Sequence, residues 1–247
     1  MAEILVTGAT GRLGPSVVSA LAERGNDVRS LSRKLGPRVV TGDLVTGEGV
    51  RDALADASIV MHLATGHNDA KATGKLVDAA SAAGVRHLIY MSIVGADAIP
   101  LSYYKTKSTA EHVVENSGLP YTILRTTQFH SFVDNLFHAE SRLPVLPIPT
   151  IDIQPIDVAD VAWALSDIAE GAPSGHVPDL GGPEILAANQ LAEMWVKARH
   201  IHRKIVSLPV PGRAFAAFRA GNHLVPTNRS AGITFGEYLQ RAQDPRA

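Results

Sequence analysis

The chain has 247 residues, enough to bury a full core in one domain. Charged residues make up 19% and nearly cancel, to a net charge of −1, which excludes bulk electrostatic attraction to nucleic acid or a membrane surface. With no cysteine, disulfides, thiolate catalysis and cysteine-ligated zinc are excluded as well.

In chain order, residues 4–7 (Ile-Leu-Val-Thr) read as a strand and 13–24 as a helix. Strands follow over 27–31 and 38–41, then a short helix over 49–55. The near-continuous apolar run over 58–63 fits a strand buried on both faces. Residues 68–83 read as a helix with Ala72, Leu76, Ala79, Ala80 and Ala83 at spacings of three and four, stopped by Gly84. A strand over 86–92, a helix over 104–117 ended by Gly118, and a strand over 121–124 complete the alternation. Such regular βα succession with short connections predicts an α/β protein with a doubly wound parallel sheet.

The pattern then changes. Prolines at 144, 147, 149 and 155 exclude a helix over 143–155, which reads as an extended segment leading toward a smaller lobe. Helices are expected over 157–169 and 189–200, the second with Asn189 as a candidate cap. Gly181-Gly182-Pro183 reads as a turn, 203–208 as a strand and the last residues as a polar tail. The expected organisation is one domain over 1–247, with a small C-terminal substrate lobe formed mainly by 143–155 and 176–240. No apolar segment reaches the ~18–20 residues that span a bilayer. The first residues lack the basic-then-apolar order of a secretory leader, so a cytoplasmic protein is expected.

Three glycines, Gly8, Gly11 and Gly14, follow the first strand at three-residue spacing and open the first helix. This order is what a dinucleotide pyrophosphate requires. Gly8 permits the tight turn, Gly11 lets the backbone approach the phosphates, and Gly14 lets the helix pack close to the strand. The helix N-terminus then offers N–H groups and a positive dipole end. The sheet is therefore expected to be of Rossmann type, with Gly8, Thr10, Gly11, Arg12, Leu13 and Gly14 as the candidate cofactor loop.

The adenosine ribose is read at the end of the second strand, where a carboxylate favours NAD(H). Here the sequence is Leu31-Ser32-Arg33-Lys34. With no carboxylate, and with Arg33 able to fork onto a phosphate, NADP(H) is expected in preference to NAD(H). Ser32, Arg33 and Lys34 are the candidate contacts, with Arg12 a second candidate for the phosphate. Asp43 and Leu44 follow the third strand, where Asp43 either reaches the adenine amino group or forms an Asx-turn.

Tyr103 and Lys107 are four residues apart and share a helix face, and Ser92 closes the preceding strand. A nearby ammonium lowers a phenol's pKa, so a tyrosine beside it can pass a proton near neutral pH. A serine hydroxyl can hold a carbonyl oxygen. Tyr104 is a second phenol at the same helix start. Among the ten histidines no pair has a zinc-binding spacing, and no metal is expected. His67 and His130 follow strands on the ligand side of the sheet and are candidates for the substrate pocket, packing or surface positions being the alternative.

The chain resembles the NmrA-like NAD(P)-binding branch of the extended or atypical short-chain dehydrogenase/reductase family. The resemblance is carried by Thr7-Gly8-Ala9-Thr10-Gly11-Arg12-Leu13-Gly14, Ser92-Ile93-Val94-Gly95, and Tyr103-Tyr104-Lys105-Thr106-Lys107 with Ala110-Glu111. Tyr121-Thr122-Ile123-Leu124-Arg125 and Asp157-Val158-Ala159-Asp160-Val161-Ala162 match too. It implies that Lys107 binds the nicotinamide ribose and that Ala64, Thr65 and Gly66 line the cofactor, as do residues 126–129, here Thr127 and Phe129. The expected activity is NADP(H)-dependent reduction of a small carbonyl or activated alkene, with Tyr103, Lys107 and Ser92 as catalytic residues. The alternative is a non-catalytic NADP(H)-binding redox sensor. The expected partners are a small-molecule substrate, with no nucleic acid and no membrane, in a monomer or homodimer.

Overall fold

The apolar run near the N-terminus forms strand β1 (Glu3–Thr7), of which all but Glu3 is buried. The computed structural model describes residues 3–33, 36, 38–66, 68–140 and 143–243. After β1 come α1 (Gly14–Glu23), β2 (Asp27–Ser32), β3 (Val39–Thr41), α2 (Val50–Ala53) and β4 (Ile59–His62). Then follow α3 (Asp69–Ala83), β5 (His87–Ile93), α4 (Ser102–Glu115) and β6 (Tyr121–Thr126). The chain continues through α5 (His130–Glu140), β7 (Val145–Pro149), β8 (Asp152–Ile153), α6 (Val158–Glu170) and β9 (Gly175–His176). It ends with β10 (Leu186–Ala187), α7 (Ala188–Ala198), β11 (Lys204–Leu208), α8 (Arg213–Arg219) and α9 (Phe235–Arg241). These elements group into two compact units, residues 1–92, 102–125 and 161–178 in the first, and 93–101, 126–160 and 179–247 in the second.

The first unit is built on a seven-stranded, mostly parallel sheet in the order β3-β2-β1-β4-β5-β6-β9. Strand β1 pairs in parallel with both β2 and β4, with Thr7 opposite Leu31 on one side and His62 on the other. The strand order therefore reverses at β1, and the carboxyl ends of β1 and β4 flank the crevice where doubly wound sheets bind ligands. Burial explains the register. All four residues of β4 are buried, as are the first six of β5, so helices must cover both faces. Leu76 and Ala80 of α3 and Ala110 and Val114 of α4 pack on Val60, Leu88, Tyr90 and Ile123. Each large aliphatic side chain removed from water there contributes roughly 1.5–3 kcal/mol. His87 and Thr122 join β5 to β6 by a buried side-chain hydrogen bond of 2.8 Å. Helix α4 starts at Ser102, two residues earlier than the sequence suggests, which places Tyr103 in its first turn.

In the second unit the proline-rich segment is extended, as expected, and forms β7 in parallel with β11, Val145 opposite Lys204 and Pro149 opposite Leu208. In a two-stranded sheet both strands are edges, so Pro147 and Pro149 need not donate to a second neighbour. Leu146 and Ile148 join Val133, Phe137, Leu191, Trp195, Phe235 and Leu239 in the core of this unit. Helix α5 is absent from the sequence reading. It buries His130 and Asp134 beside Val133 and Phe137, so two polar side chains interrupt the apolar period. Asp134 is a hub there, accepting from Trp195 Nε1 at 2.7 Å, Arg199 at 2.9 Å and the Tyr238 hydroxyl at 3.2 Å. Asn189 does not cap α7. The helix begins one residue before it, and the Gln190 side chain accepts from the Ala187 N–H at 3.0 Å. Thr234 and Glu237 form a reciprocal capping box that starts α9, and the last four residues of the expected polar tail lie outside the described residues.

Candidate functional site

The glycine loop divides its labour unevenly. Gly8 has φ +71°, and a Cβ there would lie 2.6 Å from the backbone nitrogen of Ala64. A Cβ on Gly14 would lie 2.3 Å from the carbonyl oxygen of Ala9. Both are fixed by the protein's own packing. A Cβ on Gly11 would meet only the carbonyl of Gly8, at 3.1 Å, and otherwise open space. Thr10, Gly11 and Arg12 are exposed, whereas Leu13 is buried and anchors the loop. The Gly11 N–H closes the turn onto Gly8 at 2.9 Å. Helix α1 then starts with no side-chain cap and no acidic residue in its first turn. A positive helix end without a side-chain cap, behind a loop that has no side chain at Gly11, fits a dinucleotide diphosphate.

At the end of β2, Ser32 is buried with its hydroxyl 3.4 Å from that of Thr10, and Arg33 is exposed. Lys34 lies outside the described residues. Asp43 forms the Asx-turn weighed as its alternative, its Oδ1 accepting from the Val45 N–H at 2.6 Å, and Leu44 is half-buried beside it.

Behind the loop a polar chain crosses the ends of β1 and β4. The Thr7 hydroxyl lies 2.7 Å from Nδ1 of His62, whose Nε2 lies 3.0 Å from the Thr73 hydroxyl on α3. Burial is the main cause that lowers the His62 pKa to about 4, against an ordinary value of 6.5, with Asp69 opposing and Lys107 assisting. Between these two values the unfolded chain binds the extra proton, so His62 costs stability as pH falls from 6.5 to 4 and nothing further above 6.5. The loss across that window is about 3 kcal/mol. Replacing His62 by Gln is expected to lower stability at neutral pH and to flatten the acid slope in this window. Urea midpoints measured across pH for both proteins check this, because His87, His130 and His223 titrate alike in each.

Ala64, Thr65 and Gly66 follow β4 with Ala64 half-buried and the other two exposed. His67 lies outside the described residues. On α4 the two phenols are separated by burial, Tyr103 being 47% exposed and Tyr104 only 5%, their rings edge-on at 5.9 Å. Lys107, one turn on, is buried. Its Nζ donates to the Met91 carbonyl at 2.7 Å, lies 3.3 Å from Asp69 Oδ2 and sits 4.1 Å from the centre of the Tyr90 ring. Burial lowers its pKa and Asp69 opposes this. The ammonium does not lower the Tyr103 pKa as the sequence argument expects. That pKa is raised, by partial burial first and by the Asp69 charge, with the Thr65 hydroxyl opposing. The Lys107 charge is already paired, which the sequence could not reveal. Ser92 is buried just before the end of β5, and its hydroxyl has no hydrogen-bond partner among the described residues. A buried hydroxyl without a partner is costly unless a ligand or water meets it.

Thr127, Phe129 and His130 belong to the second unit. Thr127 is buried, donating its N–H to Leu180 O and accepting at its hydroxyl from the Gly182 N–H, both at 3.1 Å. Phe129 is half-buried and bridges to Ile156. His130 is packed: its Nε2 is hydrogen-bonded to Ile233 O at 2.9 Å and its ring stacks on Tyr238 at 5.3 Å. The packing alternative therefore describes its surroundings. Asp69 escaped the sequence reading, because an aspartate at the first position of a helix resembles an ordinary dipole partner.

A parallel sheet that reverses at β1, a glycine loop shaped by backbone contacts and an uncapped α1 define a dinucleotide-binding Rossmann protein. The chain belongs to the NAD(P)H-binding family, whose profile matches residues 8–167. Within it the fold and sequence are of the NmrA-like, extended short-chain dehydrogenase/reductase type. It is 29% identical over 201 residues to the (4-alkanoyl-5-oxo-2,5-dihydrofuran-3-yl)methyl phosphate reductase of Streptomyces griseus, covering 76% of this chain and 70% of that one. It is 31% identical over 147 residues to the photosystem II assembly factor Ycf39 of Cyanophora paradoxa, covering 51% of this chain and 45% of that one. Among solved structures, the NADPH-dependent quinone oxidoreductase QOR2 of Escherichia coli superposes with a TM-score of 0.80 at 20% identity, covering 98% of this chain and all of that one. No helix among the described residues is long and apolar enough to cross a membrane.

Proposed function

We propose that this protein is an NADP(H)-dependent reductase of a small carbonyl or activated alkene. The observation that carries the reading is a half-exposed Tyr103 one turn before a buried Lys107 on α4, whose Nζ donates to the carbonyl of Met91, the residue preceding Ser92, a buried hydroxyl with no hydrogen-bond partner among the described residues. When bound, the reduced nicotinamide supplies a hydride to the substrate carbon. Tyr103 gives its phenolic proton to the substrate oxygen and recovers one from water. Lys107 holds the nicotinamide ribose, and Ser92 orients the substrate by donating its hydroxyl proton to the substrate oxygen. The loop Thr10–Gly14 and α1 hold the diphosphate, and Ala64–Gly66 line the nicotinamide side. The reductase activity of the Streptomyces griseus relative supports the reaction class.

Preference for NADP(H) rests on Arg33, an exposed guanidinium at the end of β2 with no carboxylate beside it in sequence. Thermal shifts with the four nucleotides test it, because stabilisation follows affinity. NADPH is expected to protect more than NADH, and Arg33→Ala to weaken NADPH about tenfold while sparing NADH. Equal protection by NADH and NADPH in the unmodified protein sinks the preference. The relative that is an assembly factor favours a second reading, a nucleotide-binding regulator without turnover. Such a protein would distinguish NADP from NADPH by affinity and oxidise NADPH with no member of a carbonyl panel.

A further inference from the structure

Lysine is rarely buried, and a buried ammonium needs a counter-charge and hydrogen-bond acceptors. Lys107 of α4 is buried, and so is Asp69, the first residue of α3. An ammonium has three N–H groups. One donates to the Met91 carbonyl at 2.7 Å, and one faces Asp69 Oδ2 at 3.3 Å. The Tyr90 ring centre, 4.1 Å away, attracts the charge through its face. One N–H is left over. The carboxylate is itself fixed, because its Oδ2 also accepts from the Tyr90 and Thr65 hydroxyls at 3.2 Å each. Its Oδ1 has no partner among the described residues. The pair therefore anchors the far end of a flexible four-carbon stem on α4 to a second helix.

We infer that Asp69 is the positioning residue for Lys107, holding the buried ammonium charged and in place so that its remaining N–H meets the nicotinamide ribose. The inference rests on Lys107 being the ribose contact proposed above. The other titratable groups facing the ammonium are His62 from β4, Tyr90 from β5 and Glu111 from α4. His62 is neutral above its pKa of about 4. Tyr90 is held protonated by burial and by Asp69. Glu111 is committed to Arg125 of β6, at 2.6 and 2.9 Å. Asp69 is left as the counter-charge in direct contact. Burial favours the neutral amine, and Asp69 opposes this. Without the carboxylate the amine gives up its proton at a lower pH, and with it the charge that strengthens a hydrogen bond.

Fluorescence titration of the full chain with NADPH at several pH values tests this. Wild-type affinity is expected to stay level from about pH 7 to 9, where lysine is ordinarily charged. Asp69→Asn keeps an oxygen for the Tyr90 and Thr65 hydroxyls but removes the anion, so its NADPH affinity should fall about tenfold across that range. The double variant Asp69→Asn/Lys107→Met has no amine to titrate and should bind weakly at every pH. Loosened helix packing would weaken binding alike at both ends of the range. Urea unfolding reads the pair without nucleotide. Below 10.5 the unfolded chain keeps the Lys107 proton that the folded Asp69→Asn protein has given up, so that variant should gain stability as pH rises, and the double variant should not. If Asp69→Asn fails to fold, the wild type and the charge-free double variant still carry the test. A wild-type affinity that falls across the range overturns the inference. So does an Asp69→Asn protein that matches the wild type at both ends while the double variant binds weakly. A double variant that binds NADPH as tightly as the wild type refutes instead the ribose role of Lys107 on which the inference rests.

Discussion

Replacing Gly11 by valine is expected to cost NADPH affinity about 100-fold, near 3 kcal/mol, while leaving the fold intact. The two halves of that expectation come from different observations. The backbone φ of Gly11 is outside the left-handed region, and an added Cβ meets only one oxygen, at 3.1 Å. A shift of a few tenths of an ångström in an exposed loop accommodates it, so the melting temperature should stay within a few degrees. The side chain would instead stand where the diphosphate has to approach the main chain. Gly14 behaves differently. A Cβ there would lie 2.3 Å from the Ala9 carbonyl, so Gly14→Val disturbs the start of α1 and lowers stability along with binding. Measuring nucleotide affinity by fluorescence titration and unfolding by heat for both variants separates the roles. Unchanged NADPH affinity in Gly11→Val would mean that the diphosphate lies elsewhere, and the assignment of this loop would fail.

How far the sequence could be read follows from where burial was visible in it. Parallel strands covered on both faces leave continuous apolar runs, and β4 shows one that ends at His62 without alternation. Glycines mark the helix ends at Gly84 and Gly118, so the βα rhythm of the first unit was legible nearly to the residue. The second unit wrote its core less plainly. Helix α5 buries His130 and Asp134, which read as loop residues until Trp195, Arg199 and Tyr238 are seen to satisfy Asp134. Strands of two residues, such as β8 and β10, have no period to detect. In the site, spacing put Tyr103 and Lys107 on one helix face but could not choose between Tyr103 and Tyr104. Burial separates them. Spacing also could not show that Lys107 is paired. Asp69 is 38 positions away, on a different helix, α3.

Tyr103→Phe is expected to lower kcat for NADPH-dependent carbonyl reduction by 10²–10⁴-fold, on the scale of a lost general acid. Hydride addition to a carbonyl carbon places a developing negative charge on oxygen, and an acid must meet it there. Lys107 is ill suited to replace the phenol, because its ammonium is held by the Met91 carbonyl and Asp69. Tyr90 is ill suited as well, being buried and committed to Asp69. Tyr104 is buried too. The substitution should leave nucleotide affinity within about twofold and stability within about 0.5 kcal/mol, because the side chain is half exposed and loses only a hydroxyl. The raised pKa of Tyr103 adds a direction to the pH profile. The acid form is the active one for reduction, so activity should hold through neutral pH and fall only as the phenol ionises, above its ordinary value of 10.0. Steady-state NADPH fluorescence with a panel of carbonyls, run on both proteins across pH, checks rate and profile together. Wild-type kcat in the phenylalanine variant would remove Tyr103 from the chemistry.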